Sequence, residues 1–495
     1  LVQIAVWGAL SAHFIAAPQN DSLEQVLLSQ ELRPAYGKHP PLPTWILYGV
    51  NQIFGPSIAA TFVLGALCSA ATLLLLYAWA RPLIGAPRAA LVSLLGSSIE
   101  FMNAGTTYFN HNTVQLPFAL LAIILFHRAL VHMRRVDWLG LGVGAALVML
   151  VKFSAVVLFA AFAVYLLVTR CARDTRTLRG VALAGLVCAA LLAPLLIAAS
   201  AEPATPADYA TQALFPEGSD RLERAKSVWD FAVSHAAKVA PALLLFLWLR
   251  RHAPPAPQRT GETLALAPFL TLVGFGPIAM TLCIALLAGT YLLVGWGTTF
   301  HVLFTFWLVA ASPWAIAAPQ RVLLRAAAAC IALQVAIWSV VAANGGTLPN
   351  LRRMKSNLTA LPPPQLAEAL QRAWSAHSAA LLRYVIADVR TGAVLAVQFR
   401  GAPRVVAMNR GDFDAVLPPQ VLRACGSVTV TSRAPVEPGS RHFSVMDRMF
   451  DATTLRSIVE LPGKPAGGQK FYVAIRPPEP GGQCTGAGLG TNVKA

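Results

Sequence analysis

Residues Asn20 to Trp45 read NDSLEQVLLSQELRPAYGKHPPLPTW and lie between the first two apolar runs of the chain. The stretch gathers Asp21, Glu24, Lys38 and His39 next to segments that otherwise exclude charge. Charged side chains at a bilayer boundary are costly unless water, a partner or a ligand compensates them, so a group this dense marks a functional site in an outer loop. Two readings of its start are open. Asp21-Ser22-Leu23-Glu24 and Ser22-Leu23-Glu24-Gln25 both have the spacing of helix capping boxes, and the same carboxylates, three residues apart, share one face of a helical turn and can act together on a ligand.

Outward from this loop, composition fixes the class. The 495 residues are 56% hydrophobic and 12% charged, and the mean hydropathy is +0.58. A chain this apolar is a polytopic membrane protein, not a soluble globule. The formal charge of +17 raises the question of nucleic acid. The basic residues occur as short arginine groups between apolar runs, with no basic face or aromatic RNA-binding motif, so they read as topological signals and contacts to anionic lipid.

A spanning helix needs about 20 apolar residues. Such runs occur near 1–18, 57–80, 87–105, 113–131, 138–152, 154–170, 180–199, 231–249, 264–290, 298–318 and 322–342, which predicts a mainly α bundle of about eleven spans. The first run leads straight into the polar stretch and lacks a cleavable-signal pattern. With the amino terminus cytoplasmic, inner loops receive Arg81 and Arg88, Arg128, Arg134 and Arg135, Arg170 to Arg179, Arg250, Arg251 and Arg259, and Arg321 and Arg325. The outer side receives only Arg33, Lys38, Lys152, Arg221, Arg224, Lys226 and Lys238. This asymmetry selects the orientation and predicts a break at Lys152-Phe153-Ser154 in the long run from 138 to 170. The outer segment from Ser200 to Asp230 is either a lid over a site or a surface connection.

Past the last span the character changes. Asn344-Gly345-Gly346, Leu348-Pro349-Asn350 and Leu361-Pro362-Pro363-Pro364 mark a linker over 344–364, separating a membrane unit over 1–343 from an outer α/β domain over 365–495. Within that domain, periodicity predicts a helix over Gln365 to Ala379. It predicts strands over Tyr384 to Ala387, Arg404 to Met408, Ser427 to Thr431 and Lys470 to Ile475. Cys68, Cys171, Cys188, Cys283 and Cys330 show no zinc or redox spacing and read as packing residues. Cys425 and Cys484 lie on the outer, oxidising side, where a disulfide between them is expected beside the alternative of two free thiols.

Asn20-Asp21, Glu24-Gln25 and Tyr36-Gly37-Lys38-His39-Pro40-Pro41-Leu42-Pro43-Thr44-Trp45 together resemble the first outer loop of bacterial family-39/83-like glycosyltransferases of the GT-C fold. That group includes relatives of protein mannosyltransferases and the lipid A aminoarabinose transferases. Weaker matches are Tyr108-Phe109-Asn110-His111-Asn112-Thr113, Lys152-Phe153-Ser154 and Gly295-Trp296-Gly297. The resemblance implies inverting transfer of a sugar from an undecaprenyl-phosphate donor to a lipid A, glycan or protein acceptor on the periplasmic face of the bacterial inner membrane.

It further implies Asp21 as the base on the acceptor. Glu24 then orients Asp21 or helps it hold a divalent cation. Lys152 faces the donor phosphate, and Asn110, His111 and Asn112 meet sugar hydroxyls. In the aminoarabinose branch an acidic residue followed by lysine precedes Pro-Pro; the Lys38-His39 found here departs from that, suits a phosphate, and weakens both that assignment and a metal site at the acidic position. No phosphate-cradling glycine motif is present, which agrees with a donor that carries no nucleotide. The competing class is a transporter or flippase of lipid-linked sugars, for which an internal repeat of helices is the expected sign and none is found.

Overall fold

The computed structural model describes residues 1–15, 17–36, 39–200, 206–255, 261–344, 364–400, 402–408, 413–432, 454–461, 469–480 and 484. The first apolar run is a π-helix, Gln3–Leu10, that continues into α1 (Ser11–Phe14). The polar stretch forms α2 (Asn20–Leu28), and Pro-Pro starts α3 (Leu42–Phe54). The membrane body follows as α4 (Ala59–Ile84), α5 (Ala86–Gly96), α6 (His111–His132), α7 (Arg135–Val151), α8 (Val156–Val168) and α9 (Thr175–Ser200). It is completed by α10 (Pro206–Leu214), α11 (Arg221–Arg250), α12 (Gly261–Ala288), α13 (Phe304–Ala310) and α14 (Gln320–Ala343).

Among the described residues, six helices are long and apolar enough to cross a membrane: α4, α6, α9, α11, residues Leu266–Ala288 of α12, and α14. The protein is a multi-pass membrane protein. Shorter apolar helices account for other expected spans. The predicted break falls where expected: Lys152 is extended, with φ −159° and ψ 126°, between α7 and the turn that opens α8. The run over 298–318 is shorter than anticipated. A 3-10 turn over Thr298–His301 precedes α13, which closes at Ala310 as Ser312 hydrogen-bonds back to Trp307 and Leu308, and Pro313 disfavours helical geometry at the residue before it.

Close helix contacts need small residues in a bilayer, where lipid gives helices no hydrophobic reason to associate. At Gly65 a Cβ would stand 2.1 Å from the Thr106 carbonyl oxygen, and at Gly180 2.2 Å from the Trp138 ring. Gly65 thus lets α4 pass directly under the turn over Ala104–Thr107, which delivers Tyr108 to Asn112 to the site.

The C-terminal sheet region contains α15 (Gln365–Ser375), β1 (Tyr384–Ala387), α16 (Val389–Phe399), β2 (Arg404–Ala407), α17 (Phe413–Val416), α18 (Pro419–Cys425), β3 (Ser427–Thr431), β4 (Leu455–Leu461) and β5 (Gln469–Arg476). The strands form one sheet in the order β2-β1-β3-β5-β4. Strand β1 runs parallel to β2 and β3, and β5 runs antiparallel to β3 and β4. Strands covered on both faces read as continuous apolar runs, and YVIA of β1 does so. Val385 and Ala387 pack toward α15 and α16, while Tyr384 and Ile386 pack toward α18. The predicted strands and first helix are all present. Strand β4 is the addition: it is an edge strand with mostly exposed residues, so its sequence carries no burial pattern.

A disulfide joins Cys425, at the end of α18, to Cys484. Most of the anticipated linker, residues 345–363, lies outside the described residues.

Candidate functional site

Apolar burial sets the direction of α2. Leu23, Val26 and Leu27 are buried in the cluster that includes Leu366, Ala393 and Val405 of the C-terminal region, which turns the opposite side of the helix, with Asp21 and Glu24, toward the membrane body. Hydrogen bonds fix that body side. Ser22 Oγ accepts from Phe109 N (2.9 Å), and Thr44 Oγ1 donates to Gln25 Oε1 (2.8 Å). The capping-box reading therefore gives way: Gln19 occupies the N-cap position without a side-chain bond, and neither Asp21 nor Ser22 is spent on the helix start.

Asn110 serves twice. Its Oδ1 caps α6 by accepting from Asn112 N (2.9 Å) and Thr113 N (3.1 Å), while its Nδ2 donates to Asp21 Oδ2 (3.2 Å). Asn112 Oδ1 accepts from Lys152 Nζ, so the cation at the α7–α8 break is held within the same group. Glu24 Oε2 lies 3.7 Å from His39 Nε2, and the His39 ring stacks on His111 with centroids 4.1 Å apart. His111 Nε2 is 3.2 Å from Pro40 O, which ties the PPLP turn to α6. Tyr108 OH accepts from Gln19 Nε2 (2.6 Å). Burial, with the Glu100 and Asp21 carboxylates nearby, raises its hydroxyl above the ordinary range, so it stays neutral.

Asp21, Glu24, His39, Asn110, His111, Asn112 and Lys152 all line one cavity of about 570 Å³. These side chains are spread over 132 positions of sequence from Asp21 to Lys152 and meet where the start of α6 and the break after α7 come together with α2, through the bonds of Asn110 to Asp21 and of Lys152 to Asn112. Lys38 lies outside the described residues. Arg33, Arg221, Arg224 and Lys226 are not in the lining. The rest of the lining is largely apolar and includes Val156, Ala213, Leu214, Leu292 and Trp296. Helix α10 supplies part of that lining through Ala210, Ala213 and Leu214.

The loop over 289–297 was legible only through Trp296. It is held by one side of α11: Ser227 Oγ accepts from Leu292 N (3.0 Å), Lys238 Nζ donates to Val294 O (2.9 Å), and His235 Nε2 lies 2.9 Å from Trp296 O. His235 Nδ1 also pairs with His301 Nε2 at 2.8 Å. The signal for this arrangement is a histidine and a lysine three residues apart inside an apolar run, which in a spanning helix marks a built polar contact.

As for a metal, Asp21 and Glu24 provide two carboxylates. Among the described residues no group of three or more His, Cys, Asp or Glu side chains stands close enough together to hold a metal ion.

Residues 38–197 match the model of the family described as dolichyl-phosphate-mannose-protein mannosyltransferase. Among solved structures the chain is similar to ArnT from Cupriavidus metallidurans bound to undecaprenyl phosphate, with a TM-score of 0.62 and 14% sequence identity over 96% of each chain. The apo form of the same protein gives a TM-score of 0.49 at 15% identity, again over 96% of each chain. No curated protein matches the chain. The resemblance read from the loop is borne out: the chain has the GT-C fold, and residues 38–197 are similar to the model of the mannosyltransferase family.

Proposed function

We propose, from the match of residues 38–197 to the mannosyltransferase family model and the ArnT-like fold, that the chain is an inverting glycosyltransferase. It moves a sugar from an undecaprenyl-phosphate donor to a lipid A, glycan or protein acceptor on the periplasmic face of the bacterial inner membrane. The observation that carries this reading is the convergence of Asp21, Asn110, Asn112 and Lys152 on one cavity whose remaining lining is largely apolar. A lipid-linked sugar likewise joins a polar head to an apolar chain. The arginine asymmetry between alternate loops supports the orientation, and the Cys425–Cys484 bond suits an oxidising compartment.

The chemistry follows from the positions of these groups. Asp21 takes the proton of the acceptor hydroxyl as its oxygen attacks the anomeric carbon from the face opposite the phosphate. The bond from that carbon to the phosphate oxygen breaks, its electron pair leaves with the polyprenyl phosphate, and the configuration inverts. Lys152 lies where that developing charge is compensated. Asn110, through Nδ2, fixes the Asp21 carboxylate, and Glu24 with His39 and His111 forms the neighbouring wall for sugar hydroxyls. Partners in this reading are the donor, the acceptor and membrane lipid, with no nucleic acid.

Binding tests the reading apart from turnover. In native mass spectrometry of the purified chain, undecaprenyl phosphate is expected to bind at low micromolar concentration and to be displaced poorly by a neutral polyprenol. Equal retention of the two lipids would show that the site does not recognise the phosphate and would count against the proposal. A transporter of lipid-linked sugars also binds the phosphate, and the transfer measurement that closes the Discussion separates the two.

A further inference from the structure

The far end of α2 is fastened to the C-terminal sheet region by contacts that reproduce strand pairing. Strand β2 is an outer edge of the sheet. The Gln30 side chain completes it: Nε2 donates to Val405 O at 2.8 Å, and Oε1 accepts from Val405 N at 3.0 Å. The same Nε2 donates to Leu27 O at 2.8 Å, which ties this clasp to the last turn of the helix. Beside it Arg404 pairs with Glu31. Gly392 on α16 lets the two helices approach, since a Cβ there would lie 3.3 Å from the Leu27 side chain.

These contacts act on the same rigid element as the carboxylates. Asp21 is six residues before Leu27, about 9 Å along one helix. The body side of α2 is fixed by Ser22, Gln25 and Ser29, the last through Asn51 Nδ2 at 3.0 Å. A short helix held from one side alone is free to tilt. The clasp supplies the second side.

The geometry points to the C-terminal sheet region as a positioning device for the catalytic helix, with Gln30, Glu31 and Arg404 as positioning residues that set where Asp21 stands relative to Lys152. This inference rests on the proposed transferase reading. It assigns the region a part in turnover beyond covering the outer face. Misplacing a reacting group by about 1 Å costs up to about a hundredfold in rate.

The test uses the full chain reconstituted in proteoliposomes, with steady-state transfer and amide hydrogen exchange over residues 20–28 read on the same preparations. Arg404→Glu is expected to quicken exchange in that segment and to lower kcat about tenfold, with the donor KM within about twofold. Arg404→Lys, which keeps the charge opposite Glu31, is expected to restore most of the loss. Should Arg404→Glu fail to fold, Gln30→Ala removes the strand-like pair without burying a charge and is expected to move both readouts in the same direction. Quickened exchange with unchanged kcat would overturn the inference, as would unchanged exchange or a loss confined to the donor KM. A wild-type chain that transfers nothing would instead sink the transferase reading on which it stands.

Discussion

Asp21→Asn is expected to lower transfer at least a hundredfold, about 2.7 kcal/mol of barrier, while the protein stays folded. Folding is spared because Asp21 does not cap α2, is exposed at the cavity, and keeps an oxygen able to accept from Asn110 after the change. What is lost is a carboxylate able to take a proton. Glu24 is not a substitute, since it is turned to His39. Initial rates with saturating donor, normalised to monodisperse protein, give the comparison. Equal rates in the two proteins would leave the fold standing and remove Asp21 as the base.

Lys152→Met is expected to have the next largest effect, about a hundredfold on kcat. The methionine keeps the apolar stem of the lysine and removes the charge that meets the leaving phosphate. The side chain stands at a designed interruption of two helices, where its backbone is extended and its ammonium is held by Asn112. Removing a charge from this depth relieves a desolvation cost, so thermal stability should hold or rise. Lys152→Arg should retain part of the activity because the charge stays. A fall in stability without a change in turnover would make Lys152 an interfacial anchor and not the counter-charge of the phosphate.

The sequence carried the membrane body well for a physical reason. A bilayer demands long uninterrupted apolar runs, and any charge within one stands out, which is why the break at Lys152 and the spans at 59–84, 111–132 and 320–343 were legible. The strands β1, β2 and β5 were legible because a sheet covered on both faces leaves contiguous apolar residues, and β3 because Val428 and Val430 alternate with Thr429 and Thr431, all β-branched.

Other features were hidden. Residues 20–28 and 42–54 fall between the predicted spans, the first with only capping-box spacing to suggest a helix start, yet both are helices, and α2 owes its burial in part to partners beyond position 365 that no local pattern announces. The sequence pointed Asn110 toward sugar hydroxyls, and its combined roles as cap of α6 and as donor to Asp21 emerge only in the structure. The pairing of His235 with His301 joins residues 66 positions apart, each of which looks like an isolated polar residue in its own run.

The most direct measurement is sugar transfer by the wild-type chain in proteoliposomes, supplied with a panel of undecaprenyl-phosphate sugars and an envelope-lipid extract, with lipid movement across the bilayer followed in parallel. The account predicts that one donor is consumed, that its sugar appears on an acceptor with inverted configuration, and that undecaprenyl phosphate is released in equal amount. Movement of intact donor across the bilayer with no sugar transferred from any donor would contradict it and place the chain among transporters of lipid-linked sugars.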